Sequence, residues 1–122
     1  MSVGPTFVDV SLTALGKVPA TYAASFLVDM GATDSMAPAS ALRRAGIEPV
    51  GRSSYQLAHG DWHEYEFALV QIEFLGEVTA GRVLFGPDDI PALLGATALE
   101  SAGFVVDPVK QRLTRLPAIP MY

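Results

Sequence analysis

An aspartate stands where an apolar run ends: Ser25-Phe26-Leu27-Val28-Asp29, followed by Met30-Gly31-Ala32-Thr33-Asp34. A carboxylate at the end of a segment that should be buried costs several kcal/mol unless something pairs with it. Asp29 therefore reads either as a turn aspartate that caps the next segment or as a general base and acid held in place by a tight glycine turn. A second group of candidates is His59-Gly60-Asp61-Trp62-His63. Its three polar side chains at alternate positions have metal-ligand chemistry, but Gly60 should break the strand between them at a hairpin tip, and no fourth ligand is evident. Solvated hairpin residues are the simpler reading, and no metal site is expected. Tyr55 and Trp62 add aromatic surface near that tip, as substrate contacts or as flank packing. Asp88-Asp89 after Gly86-Pro87 reads as a solvated turn.

The elements that must position these residues are mostly strands. Nine prolines and eleven glycines punctuate short runs rich in Val, Ile, Leu and Phe, which predicts a mainly β fold. Phe7, Val8 and Val10 flank Asp9 in one strand. In Glu64–Phe74 the apolar phase changes, from Tyr65, Phe67 and Leu69 to Val70, Ile72 and Phe74, which predicts a bulge or bend. Ala58-His59-Gly60-Asp61 is a hairpin turn with Gly60 free to take positive φ. Two further short strands are expected around an Asp107-Pro108 turn.

The chain also echoes itself. Leu15-Gly16-Lys17-Val18, a strand, Gly31-Ala32-Thr33 and Ala41-Leu42-Arg43-Arg44-Ala45-Gly46 are followed by Leu75-Gly76-Glu77-Val78, a strand, Gly95-Ala96-Thr97 and Ala98-Leu99-Glu100-Ser101-Ala102-Gly103. The spacing is unequal, so this is a loose internal duplication. Each half reads as hairpin, strand, glycine turn and a short helix stopped by a C′ glycine. The first turn carries Asp29 two residues before its glycine, whereas the second carries Leu93 there. One chain thus supplies one acid at this turn, and a pair requires two chains.

Leu27-Val28-Asp29-Met30-Gly31-Ala32-Thr33 resembles the Asp-Thr/Ser-Gly signature of aspartic peptidases. Leu94-Gly95-Ala96 in the second turn is similar to the hydrophobic-hydrophobic-glycine element that follows it in retropepsin-like, single-lobe members. The likeness runs from about Phe7 to Leu116 and implies a closed retropepsin-like barrel with a flap hairpin and one or two short helices, one domain over residues 1–122. It implies a homodimer in which isologous pairing brings two Asp29 carboxylates together, sharing a proton as such pairs do; aspartic proteases are the standard example of that split. One carboxylate takes a proton from a bridging water that attacks a peptide carbonyl, and the other donates to the carbonyl oxygen. The resemblance makes Asp29 catalytic, Met30, Gly31, Ala32, Thr33 and Asp34 the active-site loop, and Ala58, His59, Gly60, Asp61 and Trp62 the flap. It gives Leu94, Gly95 and Ala96 a structural role, and it has the terminal strands pair between subunits. No cofactor is implied.

Met30 departs from the pattern. The family carries Thr or Ser there, whose hydroxyl bonds across the dimer, and a thioether has no donor. Impaired or latent activity is expected, with a catalytically silent dimeric binding or scaffolding module as the alternative, and an unrelated small β protein behind both.

Bulk properties agree with a polypeptide partner. The 122 residues are 50% hydrophobic, enough for one core. Net charge is −5 and the eight basic residues are scattered, which argues against nucleic acid. There is no cysteine, so disulfide and thiolate chemistry are excluded and a reducing cytoplasm is the expected setting. No secretory leader pattern opens the sequence, and charged residues interrupt every candidate membrane span.

Overall fold

The computed structural model describes residues 6–107 and 112–116. Their order is β1 (Phe7–Ala14), β2 (Thr21–Asp29), β3 (Ser35–Pro38), α1 (Ala39–Arg44), β4 (Gly51–Gln56), β5 (Trp62–Phe74), β6 (Glu77–Gly86), β7 (Leu93–Gly95), α2 (Ala96–Ser101), β8 (Phe104–Asp107) and β9 (Arg112–Arg115). The fold is mainly β with two short helices, as expected from the punctuated apolar runs. Hydrogen bonding runs β1-β2-β7-β3-β6-β5 and returns to β1, which closes a six-stranded barrel. β4 pairs with β5 alone and extends the sheet away from that ring. β8 and β9 form a separate antiparallel pair; Pro108, at the turn expected between them, lies outside the described residues.

The barrel interior explains the alternation. Val8, Val10 and Leu12 of β1 point inward with Ala68, Val70, Ile72 and Phe74 of β5 and Val83 and Phe85 of β6, the period-2 pattern of strands with one buried face. Phe26 and Leu94 are fully buried among them. Burying one such side chain contributes about 1.5–3 kcal/mol relative to leaving it exposed.

The expected bulge in β5 is absent. Its register to β4, β6 and β1 is continuous from Trp62 to Phe74. The apolar phase changes because one strand serves two neighbourhoods. The even-numbered residues from Ala68 onward face the barrel core. On the opposite face, Tyr65 and Phe67 are half-buried where the sheet runs out to β4, and Leu69 is exposed.

The duplication is real, but its register differs from the sequence echo. β1–β2 and β5–β6 are antiparallel hairpins. β2 pairs with β7 in parallel, as β3 does with β6, and Met36 of β3 meets Leu93 of β7. Exchanging β1, β2, β3 and α1 for β5, β6, β7 and α2 therefore leaves the pairing scheme unchanged. Helices α1 and α2 have equal length and are 57 residues apart (96 − 39). Each ends at an alanine followed by a left-handed glycine, Gly46 at φ 89° and Gly103 at φ 84°, the expected C′ stops. The same shift carries Asp29, paired with Gly95, onto Gly86, paired with Pro38. So Gly95-Ala96-Thr97 corresponds to Pro38-Ala39-Ser40, and the likeness to Gly31-Ala32-Thr33 is coincidental. Those two glycine segments are neighbours instead: Ala96 N–H donates to Ala32 O at 2.8 Å and Thr97 N–H to Thr33 O at 3.1 Å.

Asp88 has a role the sequence does not show. Exposed in the turn after β6, it accepts the Ser40 amide of the first turn of α1 at 3.0 Å. That amide, then the Ser40 hydroxyl and more weakly Arg44, hold its carboxyl below the ordinary value. A carboxyl depressed on folding stabilises above its unfolded pKa of about 3.9 and loses that contribution as pH falls through the lower folded value. Asp88→Ala is therefore expected to lower the melting temperature at pH 7, with a difference from the parent that shrinks below about pH 4. Thermal melts of both proteins at pH 7 and pH 3 check this.

Candidate active site

Asp29 is the last residue of β2, half-buried where its strand runs beside β7. The chain turns at once: Ala32 N–H reaches back to Asp29 O at 3.2 Å, and Gly31 N–H donates to Asp29 Oδ1 at 2.9 Å. A backbone amide aimed at a carboxylate oxygen fixes the side-chain rotamer. The turn leaves no room to spare, since a Cβ on Gly31 would lie 3.2 Å from the same oxygen. Met30 is 41% exposed and its side chain is not part of the core.

Beyond the turn the chain crosses the start of α2. Gly95 N–H donates to the buried Ser35 Oγ at 3.0 Å. A Cβ on Gly95 would lie 2.6 Å from Asp34 C, 2.7 Å from Asp34 O and 2.9 Å from Thr33 O. Glycine is required here because two backbones touch, not because of its φ, which is −85°. Gly95 and Ala96 make this crossing, while Leu94 beside them is buried in the barrel core.

A cleft of about 320 Å³ opens between this loop and the β4–β5 hairpin. Gly31, Ala32, Thr33 and Asp34 form one wall, and Tyr55, Gln56, Leu57, Ala58 and Tyr65 form the other. Met36, Leu84 and Leu93, adjacent on β3, β6 and β7, give it an apolar base. Asp29 itself adjoins the loop wall without being part of the lining. The volume and the apolar surface with a few polar groups suit a short extended peptide or a comparable ligand.

The hairpin tip is closed by Leu57 N–H to Asp61 O at 2.7 Å and Gly60 N–H to Leu57 O at 2.8 Å, with Gly60 at φ 96°. Of the five tip residues singled out in the sequence, Ala58 lines the cleft; His59, Gly60, Asp61 and Trp62 are exposed outside it. His59 Nδ1 lies 3.3 Å from Asp61 Oδ2, whereas His63 packs on the Tyr65 ring at 4.4 Å. The three polar residues of that stretch therefore do not converge, and among the described residues no group of three His, Asp or Glu is placed to hold a metal ion.

Tyr55 is the residue that sequence reasoning undervalued. Its hydroxyl donates to Asp34 Oδ2 at 2.6 Å, bridging the two walls of the cleft. Burial, and then the bond to the Asp34 carboxylate, push the phenol above its ordinary value; Arg82 acts in the opposite sense. The place of Tyr55 beside the hairpin tip was legible in the sequence, whereas its bond to Asp34, 21 residues away, was not.

Compared with models of known protein families and with curated proteins, the chain matches none. Among the described residues, no helix is long and apolar enough to cross a membrane.

Proposed function

We propose that the chain is a retropepsin-like aspartic endopeptidase that acts as a homodimer, with a water activated between the Asp29 carboxylates of two chains. The observation that carries the reading is the held carboxylate: Asp29 ends a barrel strand, its Oδ1 receives the Gly31 amide, and the loop after it forms one wall of a peptide-sized cleft. The internal duplication supplies the argument for a second copy. The counterpart of Asp29 in the other half is Gly86, so one chain brings one acid to this position. Isologous association supplies the second.

In the mechanism, one Asp29 takes a proton from water as it attacks the peptide carbonyl, and the other protonates or hydrogen-bonds the carbonyl oxygen as charge develops there. The tetrahedral intermediate collapses with proton delivery to the leaving amine. The β4–β5 hairpin acts as a flap that covers the bound chain and excludes water, and Asp34, Thr33 and Ala32 meet substrate backbone. A polypeptide is the only substrate class required, and no cofactor takes part.

A catalytically silent dimeric binding module of the same fold is the second reading. It is favoured by Met30, whose exposed thioether stands where a hydroxyl would lock two loops together. The test is cleavage of an unfolded polypeptide across about pH 3 to 7, where carboxylates titrate, with Asp29→Asn as the blank and light scattering for the dimer. Met30→Thr is expected to raise kcat/KM by as much as about a hundredfold, the scale of a catalytic group displaced by an ångström. If the variant cleaves no faster than the parent, Met30 is not what limits the site. Cleavage by neither parent nor Met30→Thr favours the binding module.

A further inference from the structure

Among the described residues, side chains tie the β4–β5 hairpin to the rest of the molecule at three points. β4 has a strand partner on one side only, namely β5. Beyond that pairing, Tyr55 donates to Asp34 Oδ2 at 2.6 Å, Arg43 Nη2 of α1 donates to Glu66 Oε1 at 2.8 Å near the base of the hairpin, and Arg82 Nη1 of β6 donates to Ser53 Oγ at 2.7 Å while its guanidinium stacks on the Phe67 ring at 4.0 Å. The Arg82 tie lies over the sheet, next to the barrel. The Tyr55 tie spans the cleft itself, with the loop carrying Asp34 on one side and the hairpin on the other. The hairpin cannot lift from the loop without breaking it.

From this geometry we infer that the Tyr55–Asp34 hydrogen bond is a latch that holds the hairpin closed over the cleft, and that an entering chain releases it by offering its own N–H donor to Asp34. Tyr55 is thus a positioning residue: it acts through the hairpin and takes no part in the chemistry. The chemical fit supports an exchange of this kind. A carboxylate only accepts, and the Tyr55 hydroxyl and a peptide N–H are both donors, so a peptide amide can take the place of the Tyr55 hydroxyl on Oδ2. The bond is short and charge-assisted yet only partly buried, strong enough to hold a hairpin and accessible enough to be replaced. The latch stands on the geometry alone; the identity of the group that releases it rests on the peptidase reading.

The absence of cysteine makes the test direct. Spin labels placed at His59→Cys on the exposed tip and Glu100→Cys on the exposed side of α2, in chains diluted with unlabelled protein, report the distance from hairpin to barrel within one chain. The parent is expected to give one narrow distribution. Tyr55→Phe and Asp34→Ala should each broaden it by adding a second population, and the double variant should broaden it no further than either alone, because both remove the same bond. An unchanged distribution in Tyr55→Phe overturns the latch, and broadening in Tyr55→Phe without broadening in Asp34→Ala overturns the assignment of Asp34 as its partner. In cleavage assays Tyr55→Phe should lower KM by roughly three- to tenfold, since closed molecules no longer have to be opened by substrate. A purely structural role would lower kcat/KM instead, and a KM that is unchanged or raised overturns release by substrate. A protein that cleaves nothing removes the peptidase reading and the substrate's part in release, while the distances still decide the latch.

Discussion

Asp29→Asn is expected to abolish peptide cleavage, with a loss of at least about a thousandfold, while leaving the fold and the dimer intact. The magnitude follows from the role. General acid–base groups contribute about 10²- to 10⁴-fold each, and in a symmetric dimer one substitution changes both members of the pair. An amide cannot take the proton from water. Retention of the fold follows from the local geometry. Among the described residues, the one hydrogen bond to the side chain is the Gly31 amide donating to Oδ1 at 2.9 Å, and the Asn carbonyl oxygen accepts it equally well. Because two carboxylates brought together repel one another, the amide variant should be no less stable than the parent, and a melting temperature equal to or above it is expected. The decisive measurement is the rate of cleavage of an unfolded polypeptide by the two proteins at matched concentration, with light scattering to verify equal assembly. A variant that cleaves as fast as the parent would remove Asp29 from the chemistry and, with it, the peptidase reading.

Sequence reading reached the parts of this site that are local. The carboxylate at the end of an apolar strand, the glycine turn after it, the hairpin tip at Gly60 and the two glycine-stopped helices all depend on residues within a few positions of one another. Contacts between distant segments were the part it could not reach. Tyr55 and Asp34 are 21 residues apart, Asp88 and Ser40 are 48 apart, and neither pair carries a motif. The Gly-Ala-Thr echo misled for a physical reason. Gly31 serves a turn around a carboxylate, and Gly95 serves a backbone crossing, so two different demands for glycine produced the same three letters. The true counterpart of Asp29 is Gly86, and the space explains its identity: a Cβ there would lie 2.5 Å from Met36 Sδ. The phase change in β5 misled similarly, because the pattern records which neighbours a residue has and not whether the strand is broken. Trp62, prominent in the sequence as the single tryptophan, is 69% exposed beside the tip, whereas the less conspicuous Tyr55 and Tyr65 line the cleft.

Gly95→Ala should be the most damaging single methyl in the chain, lowering stability by about 3 kcal/mol or more and cleavage with it. The added carbon would stand within 3 Å of three backbone atoms, Asp34 C, Asp34 O and Thr33 O. Backbone cannot rotate away as a side chain can, so the loop itself must move. Moving it strains the bonds that bind loop to helix, Ala96 N–H to Ala32 O, Thr97 N–H to Thr33 O and Gly95 N–H to Ser35 Oγ, and each such bond contributes about 1 kcal/mol. Gly86→Ala is the matched control at the related position. Its Cβ meets the Met36 Sδ and Cγ, the end of a flexible side chain that can repack, so a smaller loss is expected. For a domain of this size the Gly95 variant should melt about 10 °C or more below the parent. The loop that shifts also carries Asp29's glycine turn and Asp34, so cleavage should fall more steeply than the folded fraction explains. Parallel thermal melts and cleavage rates for Gly95→Ala and Gly86→Ala separate the two effects. Equal melting temperatures for the two variants would mean that the crossing of residues 33–34 over Gly95 is looser than these contacts require, and the site would then owe its shape to the β2–β7 pairing alone.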